Sequence, residues 1–354
     1  MLGFGTALFL VPSVGLADSL SPSSYSTTLS IGGSTTINKV ITVNAGTPTT
    51  AKVDVVFVAD TTGSMVGQIA SAKSGATSIL TALSGLGDVQ FGVASYKDRF
   101  DGYTSRIEQG LTSSTSAVTS AINTWTAGGG GDFPEANLIS WSQVANDIAW
   151  RDGSRRFIVT FGDAPGHIQP SNPAYPTEAG AIAALNAKNI QMEIINTGTD
   201  STGMNSACGA SVDCTAGQAL RFAAATSGHV YNNFDATQTA AKIQSAITTA
   251  FATYSTVELQ AVGNLPGVGV TTCAPISGSF DRSSTQTFNC SVTFTGLTSG
   301  VHSFVINALV DKGIIATESD RITVAGTAPV PEPSTMLLLG SGLVGLAFLR
   351  RRAA

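Results

Sequence analysis

The stretch VDVVFVADTTGSM constrains this chain more than any other. Its run Val53–Ala59 is short, apolar and β-branched, and it stops at Asp60 on a turn rich in hydroxyls. An apolar run without alternation reads as a strand covered on both faces, as in the middle of a parallel sheet. Further strands are read at Gln90–Tyr96, Arg156–Phe161, Ile190–Ile195 and Gly228–Tyr231. Helical periods lie between and after them, around Val66–Leu83, Ser116–Trp125, Ala136–Trp150, Thr177–Ala187, Ala216–Thr226 and Thr237–Tyr254. The alternation predicts an α/β fold over residues 51–254, a doubly wound and mostly parallel sheet. Chemistry in such a sheet sits beyond the carboxyl ends of the strands, where Asp60, Thr62 and Ser64 fall. One carboxylate and two hydroxyls suit a hard cation, Mg²⁺ before others.

The flanking segments read differently. After Tyr254 the helical period stops and short alternating runs follow, Val257–Val262, Gln286–Phe294, His302–Val310 and Arg321–Val324, separated by Gly, Asn, Pro and Ser clusters. They predict a small β-sandwich over residues 255–328. Residues 18–50 add Thr27–Ile31 and Thr36–Val43 around Gly32-Gly33, a strand-turn-strand pattern. Two arrangements stay open. These strands complete the sandwich, with the α/β unit inserted into it, or they form a separate N-terminal arm.

Composition places the chain outside the cytoplasm and away from nucleic acid. The net charge is −5, only 12% of residues are charged, and no basic cluster occurs outside the last few residues. The four cysteines fall in two close pairs, Cys208 with Cys214 and Cys273 with Cys290, the pattern of local disulfides in an oxidising compartment. Residues 1–17 read as a secretory signal peptide, with an apolar stretch broken by Pro and Gly and small residues Gly15 and Ala17 before Asp18.

The other end changes character over residues 329–354. Val330-Pro331-Glu332-Pro333-Ser334 precedes an apolar run, Met336–Leu349, and then three arginines, Arg350–Arg352. The run is short for a permanent span, and the basic cluster holds its far end on the cytoplasmic side. This tail resembles the PEP-CTERM sorting signal of Gram-negative bacteria. The resemblance implies transient inner-membrane association, processing by an exosortase near Pro331–Ser334, and delivery to the cell surface or extracellular matrix.

Residues from about Val53 to Tyr254 resemble the von Willebrand factor type A domain, in particular its integrin-β-like branch. That family carries a metal-ion-dependent adhesion site that begins Asp-x-Ser/Thr-x-Ser, which Asp60, Thr62 and Ser64 match. Its second loop carries Pro-Glu after an Asp, supplied in GGGGDFPEA by Asp132, Pro134 and Glu135. Its third is an Asp after a central strand, Asp163 in RFIVTFGDAPGH. The resemblance implies that Thr62 and Ser64 bind Mg²⁺ directly, with Mn²⁺ or Ca²⁺ as alternatives. Asp60, Glu135 and Asp163 would bind directly or through water. An open coordination position would take a carboxylate from a protein or matrix ligand. A flanking site would use Asp132, Glu135, the Pro134 carbonyl and Asp98. Two departures stand out: Gly130 replaces an expected Asn, and Val66-Gly67-Gln68 replaces an Asp-Asp pair.

Each loop also has a plainer reading. Asp60-Thr-Thr-Gly-Ser alone is a helix N-cap turn, and Asp132-Phe-Pro-Glu a helix start. Asp98 reads as a surface partner of Lys97 or Arg99, and His167 as a loop residue held for turn packing. An enzyme is not expected. Position 62, where a phosphotransfer Asp would have its proton donor, is a threonine, and GxxxxGK[ST], HExxH and GxSxG motifs do not occur.

Overall fold

The structure is a computed structural model and describes residues 17–46, 52–168, 175–207, 214, 216–263 and 265–326. The signal peptide except Ala17, the sorting segment and Cys208 lie outside the described residues.

Three strands open the chain, β1 (Ser19–Ser21), β2 (Ser24–Ser30) and β3 (Ser34–Val43). The middle unit then runs β4 (Lys52–Asp60), α1 (Val66–Ser84), β5 (Asp88–Tyr96), β6 (Ser105–Thr112), α2 (Thr115–Asn123) and α3 (Asn137–Asp147). It continues with β7 (Arg155–Gly162), α4 (Glu178–Ala187), β8 (Ile190–Asn196), α5 (Gln218–Ala225), β9 (His229–Asn232) and α6 (Thr239–Ala252). Its sheet has the order β6-β5-β4-β7-β8-β9. β6 is antiparallel to β5 and the remaining pairs are parallel. Val53, Val55 and Phe57 of β4 pack in one core with α1, α2 and α6, while Val56 and Val58 pack in another with α3, α4 and α5. Burial of both faces is why β4 has no polar alternation. Asp54 interrupts the run and is fully buried, accepting from Arg151 Nε at 2.6 Å and Ser154 Oγ at 2.7 Å. The edge strand β6 was not expected, because SRIEQGLT is half-exposed and lacks an apolar period.

Six strands follow, β10 (Thr253–Val262), β11 (Val268–Thr271), β12 (Ile276–Asp281), β13 (Gln286–Gly296), β14 (Gly300–Val310) and β15 (Gly313–Ala325). They combine with the first three into two facing sheets, β1-β3-β13-β11 and β12-β10-β14-β15-β2. The expected fold class is therefore corrected. Among the described residues the protein is mostly β, with 42% strand and 27% helix, and is not a helix-rich doubly wound α/β protein with a small sandwich. The sequence understates the sandwich because β11 and β12 are short and half-exposed, and β15 extends well before the expected Arg321 start. The Gly32-Gly33 turn is corrected too, since β2 and β3 do not pair. β2 runs parallel to β15, and β3 runs antiparallel to β13. Gly32 makes the crossing at φ +77°, where its N–H donates to Gly296 O at 2.8 Å.

Cys273 and Cys290 form a disulfide that ties the segment after β11 to β13, and Cys214 is disulfide-bonded as well. Among the described residues no helix is long and apolar enough to cross a membrane.

The β14–β15 hairpin tip docks the sandwich onto the middle unit. Asp311 and Lys312 adopt left-handed φ values of 43° and 68° in the turn. The Asp311 carboxylate then accepts from Arg155 at 2.9 Å and from the Ser255 and Thr256 amides at 2.9 and 3.0 Å. Arg155 is buried and its guanidinium stacks over Phe157, so losing Asp311 strands a buried cation. Asp311→Ala should destabilise the protein by about 3 kcal/mol in chemical denaturation. Lys312→Ala, which removes an exposed pair with Glu258, should cost roughly 0.5 kcal/mol. Equal midpoints for the two variants would refute this account of the junction.

Candidate functional site

The first loop leaves β4 at Asp60, which is fully buried. The Thr62 N–H and Oγ1–H both donate to Asp60 Oδ1, at 2.9 and 2.6 Å, and Ser64 Oγ lies 3.3 Å from Thr62 Oγ1. These three side chains line up as a row of oxygens. They do not cap a helix, since neither the Gly63–Met65 turn nor α1 has a side-chain cap. The second loop likewise leads into α3 without one. The capping explanation for these residue types is therefore absent at both loops.

Main-chain hydrogen bonds hold the three loops together. Gly63 N–H donates to Gly129 O at 3.0 Å and Gly128 N–H to Thr61 O at 3.1 Å, joining the first loop to the second. Glu135 N–H donates to Pro165 O and His167 N–H to Glu135 O, both at 2.9 Å, joining the second loop to the one that carries Asp163. Gly130 sits at φ +80°, and a Cβ there would come within 2.9 Å of both Glu135 Oε1 and Thr62 Cβ. A side chain such as the expected Asn would press into the space those two residues face.

Two residues that the sequence presents as ordinary surface charges hold this arrangement. The Lys97 ammonium donates to the carbonyls of Thr61, Gly128 and Thr126, pinning the first and second loops from below. Asp101 accepts from the Gly130 amide at 2.9 Å and the Asp98 amide at 3.1 Å. The signal for both was their position in the loop after β5, which ends at the same carboxyl end of the sheet as β4.

The result is a crowd of acids around an open cleft of about 240 Å³, lined by Thr62, Ser64, Gly130, Asp132, Glu135 and Asp163. Burial, and next the charge of Asp163, push the Asp60 carboxyl up to about 7. Burial, and then Asp60, Asp98 and Asp163, push Glu135 up to about 9. Each keeps one buried oxygen without a hydrogen-bond partner among the described residues, Asp60 Oδ2 and Glu135 Oε2. Asp60 Oδ2 lies beside the Tyr96 hydroxyl, and Gly162 leaves room for both. Unpaired anionic oxygens of this kind are costly unless a cation or a proton meets them.

Asp98 and His167 differ from expectation. Asp98 is not a surface residue but fully buried, with its Oδ1 3.0 Å from His167 Nε2. His167 is also buried and has a carboxylate set around it, since Asp132 Oδ1 lies 3.7 Å from the same nitrogen. The sequence could not show this, because the three residues lie on three different loops. Asp132 meanwhile pairs with Arg99 at 2.6 Å. Pro134 is buried between Asp132 and Glu135. The structure thus brings Thr62, Ser64, Glu135 and Asp163 around one cleft, with Asp60 buried behind Thr62, which donates to it, and Asp98, Asp132 and His167 as an adjoining cluster.

Carboxyls held above their unfolded values favour the fold while protonated and oppose it once ionised. Stability from Asp60 and Glu135 is thus complete below about pH 4 and is lost as pH rises through about 7 and then about 9. In chelator, the melting temperature should fall between about pH 5 and pH 9, and the double variant Asp60→Asn with Glu135→Gln should flatten that fall. A profile that rose over this range would contradict the electrostatics.

Residues 329–352 match the family described as the PEP-CTERM protein-sorting motif. A 119-residue stretch is 32% identical to the alpha-protein kinase vwkA of Dictyostelium discoideum, covering 32% of this chain and 19% of that protein. The chain therefore spans about a fifth of the curated relative it matches. Among solved structures, the pilus adhesin SpaC from Lactobacillus rhamnosus GG aligns with TM-score 0.40 and 13% identity, over 82% of this chain and 46% of that one. Proximal thread matrix protein 1 from the mussel byssus aligns with TM-score 0.41 and 15% identity, over 60% of this chain and 48% of that one. The sorting motif implies exosortase-mediated handling and marks the chain as an exported surface protein.

Proposed function

We propose that this exported protein is an adhesion module, not an enzyme, and that it captures a partner through a divalent cation, Mg²⁺ first, bound by Asp60, Thr62, Ser64, Glu135 and Asp163. This is the role that the resemblance to the von Willebrand factor type A metal-ion-dependent adhesion site implies. The observation that carries it is Glu135, whose buried Oε2 has no hydrogen-bond partner among the described residues, lining one cleft with Asp163 and the Thr62 and Ser64 hydroxyls above the buried Asp60 that Thr62 bonds. Two neutral hydroxyls with carboxylates from three loops fit a hard, oxygen-preferring ion. The bound ion would supply an electrophilic position for an acidic group on a partner.

Exposed apolar residues around the cleft support a macromolecular partner. Phe133 lines it, and Phe100 and Phe234 follow β5 and β9 at the same carboxyl end of the sheet, each strongly exposed. Aromatic side chains around a polar centre are the composition of a protein-binding patch. The partner we infer is a protein or matrix component presenting a carboxylate.

Mg²⁺ should raise the melting temperature of the chelator-treated protein, and Thr62→Ala should remove most of that rise while leaving the fold intact by circular dichroism. A carboxylate-bearing peptide or matrix extract should bind the wild type in Mg²⁺ and not in EDTA. Stabilisation by Mg²⁺ without any acidic ligand competing for the site would favour a purely structural ion instead. Binding retained in EDTA and in Thr62→Ala would defeat the proposal.

A further inference from the structure

The sandwich interior contains a lysine where its pattern calls for an apolar residue. Lys39 shares the inward stripe of β3 with Ile41 and Val43 and is fully buried. Glu318 and Asp320 alternate on β15 in the facing sheet, and both are buried as well. The Lys39 ammonium contacts Glu318 Oε1 and lies 3.4 Å from Asp320 Oδ2. Asp320 Oδ1 accepts the Tyr25 N–H at 2.8 Å, whereas Asp320 Oδ2 and Glu318 Oε2 have no hydrogen-bond partner among the described residues. As a plain ion cluster this is poorly satisfied, with three desolvated charges and two oxygens that accept no hydrogen bond among the described residues.

As a reaction site the same atoms are well placed. We propose that Lys39 and Asp320 condense to an intramolecular amide, with Glu318 as general base, so that the mature sandwich carries a covalent cross-link between its two sheets.

The roles follow from the contacts. Glu318 touches the nucleophilic nitrogen and takes its proton. The Tyr25 amide polarises the Asp320 carbonyl and holds the oxyanion that forms on attack. Asp320 Oδ2 faces the amine and is free to leave. The Lys39 lone pair adds to Asp320 Cγ, Glu318 accepts one N–H proton and returns it to Oδ2, and that oxygen departs as water. One C–N and one O–H bond form, one C–O and one N–H bond break, and nothing is oxidised or reduced. Burial lowers the Lys39 pKa and raises that of Asp320, which favours the neutral amine and neutral acid that condense. The folded core supplies proximity and excludes the water that would reverse the step.

The test is mass spectrometry of the purified, disulfide-reduced full chain. The intact mass should be one water below that of its residues, and proteolysis should release a branched peptide joining Lys39 to Asp320. Asp320→Asn should lose ammonia instead of water, because the leaving group becomes the side-chain nitrogen. Glu318→Gln should keep the uncondensed mass. A wild-type mass with no water lost overturns the proposal, and the wild type alone decides this if a variant fails to fold. A branch at Glu318 overturns the assignment of electrophile and base.

Discussion

The whole architecture depends on backbone pairing between segments far apart in the chain. β3 pairs with β13 from Val43–Gln286 to Ser34–Thr295, and β2 pairs with β15, so the sandwich closes only around the complete middle unit. Closing so long a loop carries an entropic cost that grows slowly with its length. A middle unit that already holds its two ends together reduces that cost. It does so here: β4 starts at Lys52, α6 passes directly into β10 at Thr253, and both ends border the pocket shared with Arg155, Arg282 and Ile315. The insertion is tolerated because its ends emerge side by side.

That geometry separates the two ends of the middle sheet by function. The sandwich docks at the amino ends of β4 and β7, through Arg155, Asp311 and Gly153. The acidic cleft lies at their carboxyl ends. A nine-residue strand such as β4 spans roughly 25–30 Å. The cleft is therefore held away from the sandwich. Its loops are joined by main-chain bonds at Gly63, Gly128 and Glu135, so the acidic side chains are assembled by the fold and not by whatever neutralises them. Crowding of buried carboxyls there costs the fold stability, which raises the Asp60 and Glu135 carboxyls above their ordinary range.

The parts of this plan legible in the sequence are those with a local signal. The apolar run of β4, the Asp60 turn and the Pro-Glu of the second loop could be read because periodicity and residue type suffice within a few positions. β11 and β12 could not, because edge strands that are half-exposed have no apolar period to detect. Residue type misled at Asp98 and Lys97, where SYKDRF looks like solvated charge. Both are drawn under the cleft by partners some thirty to seventy residues away, Gly128 for Lys97 and His167 for Asp98. Lys39 was invisible for a related reason. A lysine at an inward position of an otherwise alternating strand reads as a polar-face residue until Glu318 and Asp320 are seen opposite it. Overall class was misjudged because helices announce themselves over long windows, whereas nine sandwich strands split between the two flanks of the chain do not.

The strand that receives all of these constraints is β15. Its first residues, Gly313 and Ile314, abut Arg155 and Gly153 of the middle unit, and it ends at Ala325, just before the sorting motif at 329–352. A pull between the middle unit and the carboxyl end of β15 would therefore run along β15, not across it. β14 flanks it on one side from Val310–Gly313 to Gly300–Val324, and β2 on the other from Ser24–Ser319 to Ser30–Ala325. Loaded along its axis, a strand paired on both sides must break many ladder bonds at once, whereas a terminal strand pulled sideways loses them one by one. Resistance of this kind is a matter of unfolding rate and not of equilibrium stability. Glu318 and Asp320 sit in the middle of that strand, so their hold on Lys39 ties it to the opposite sheet midway along its length.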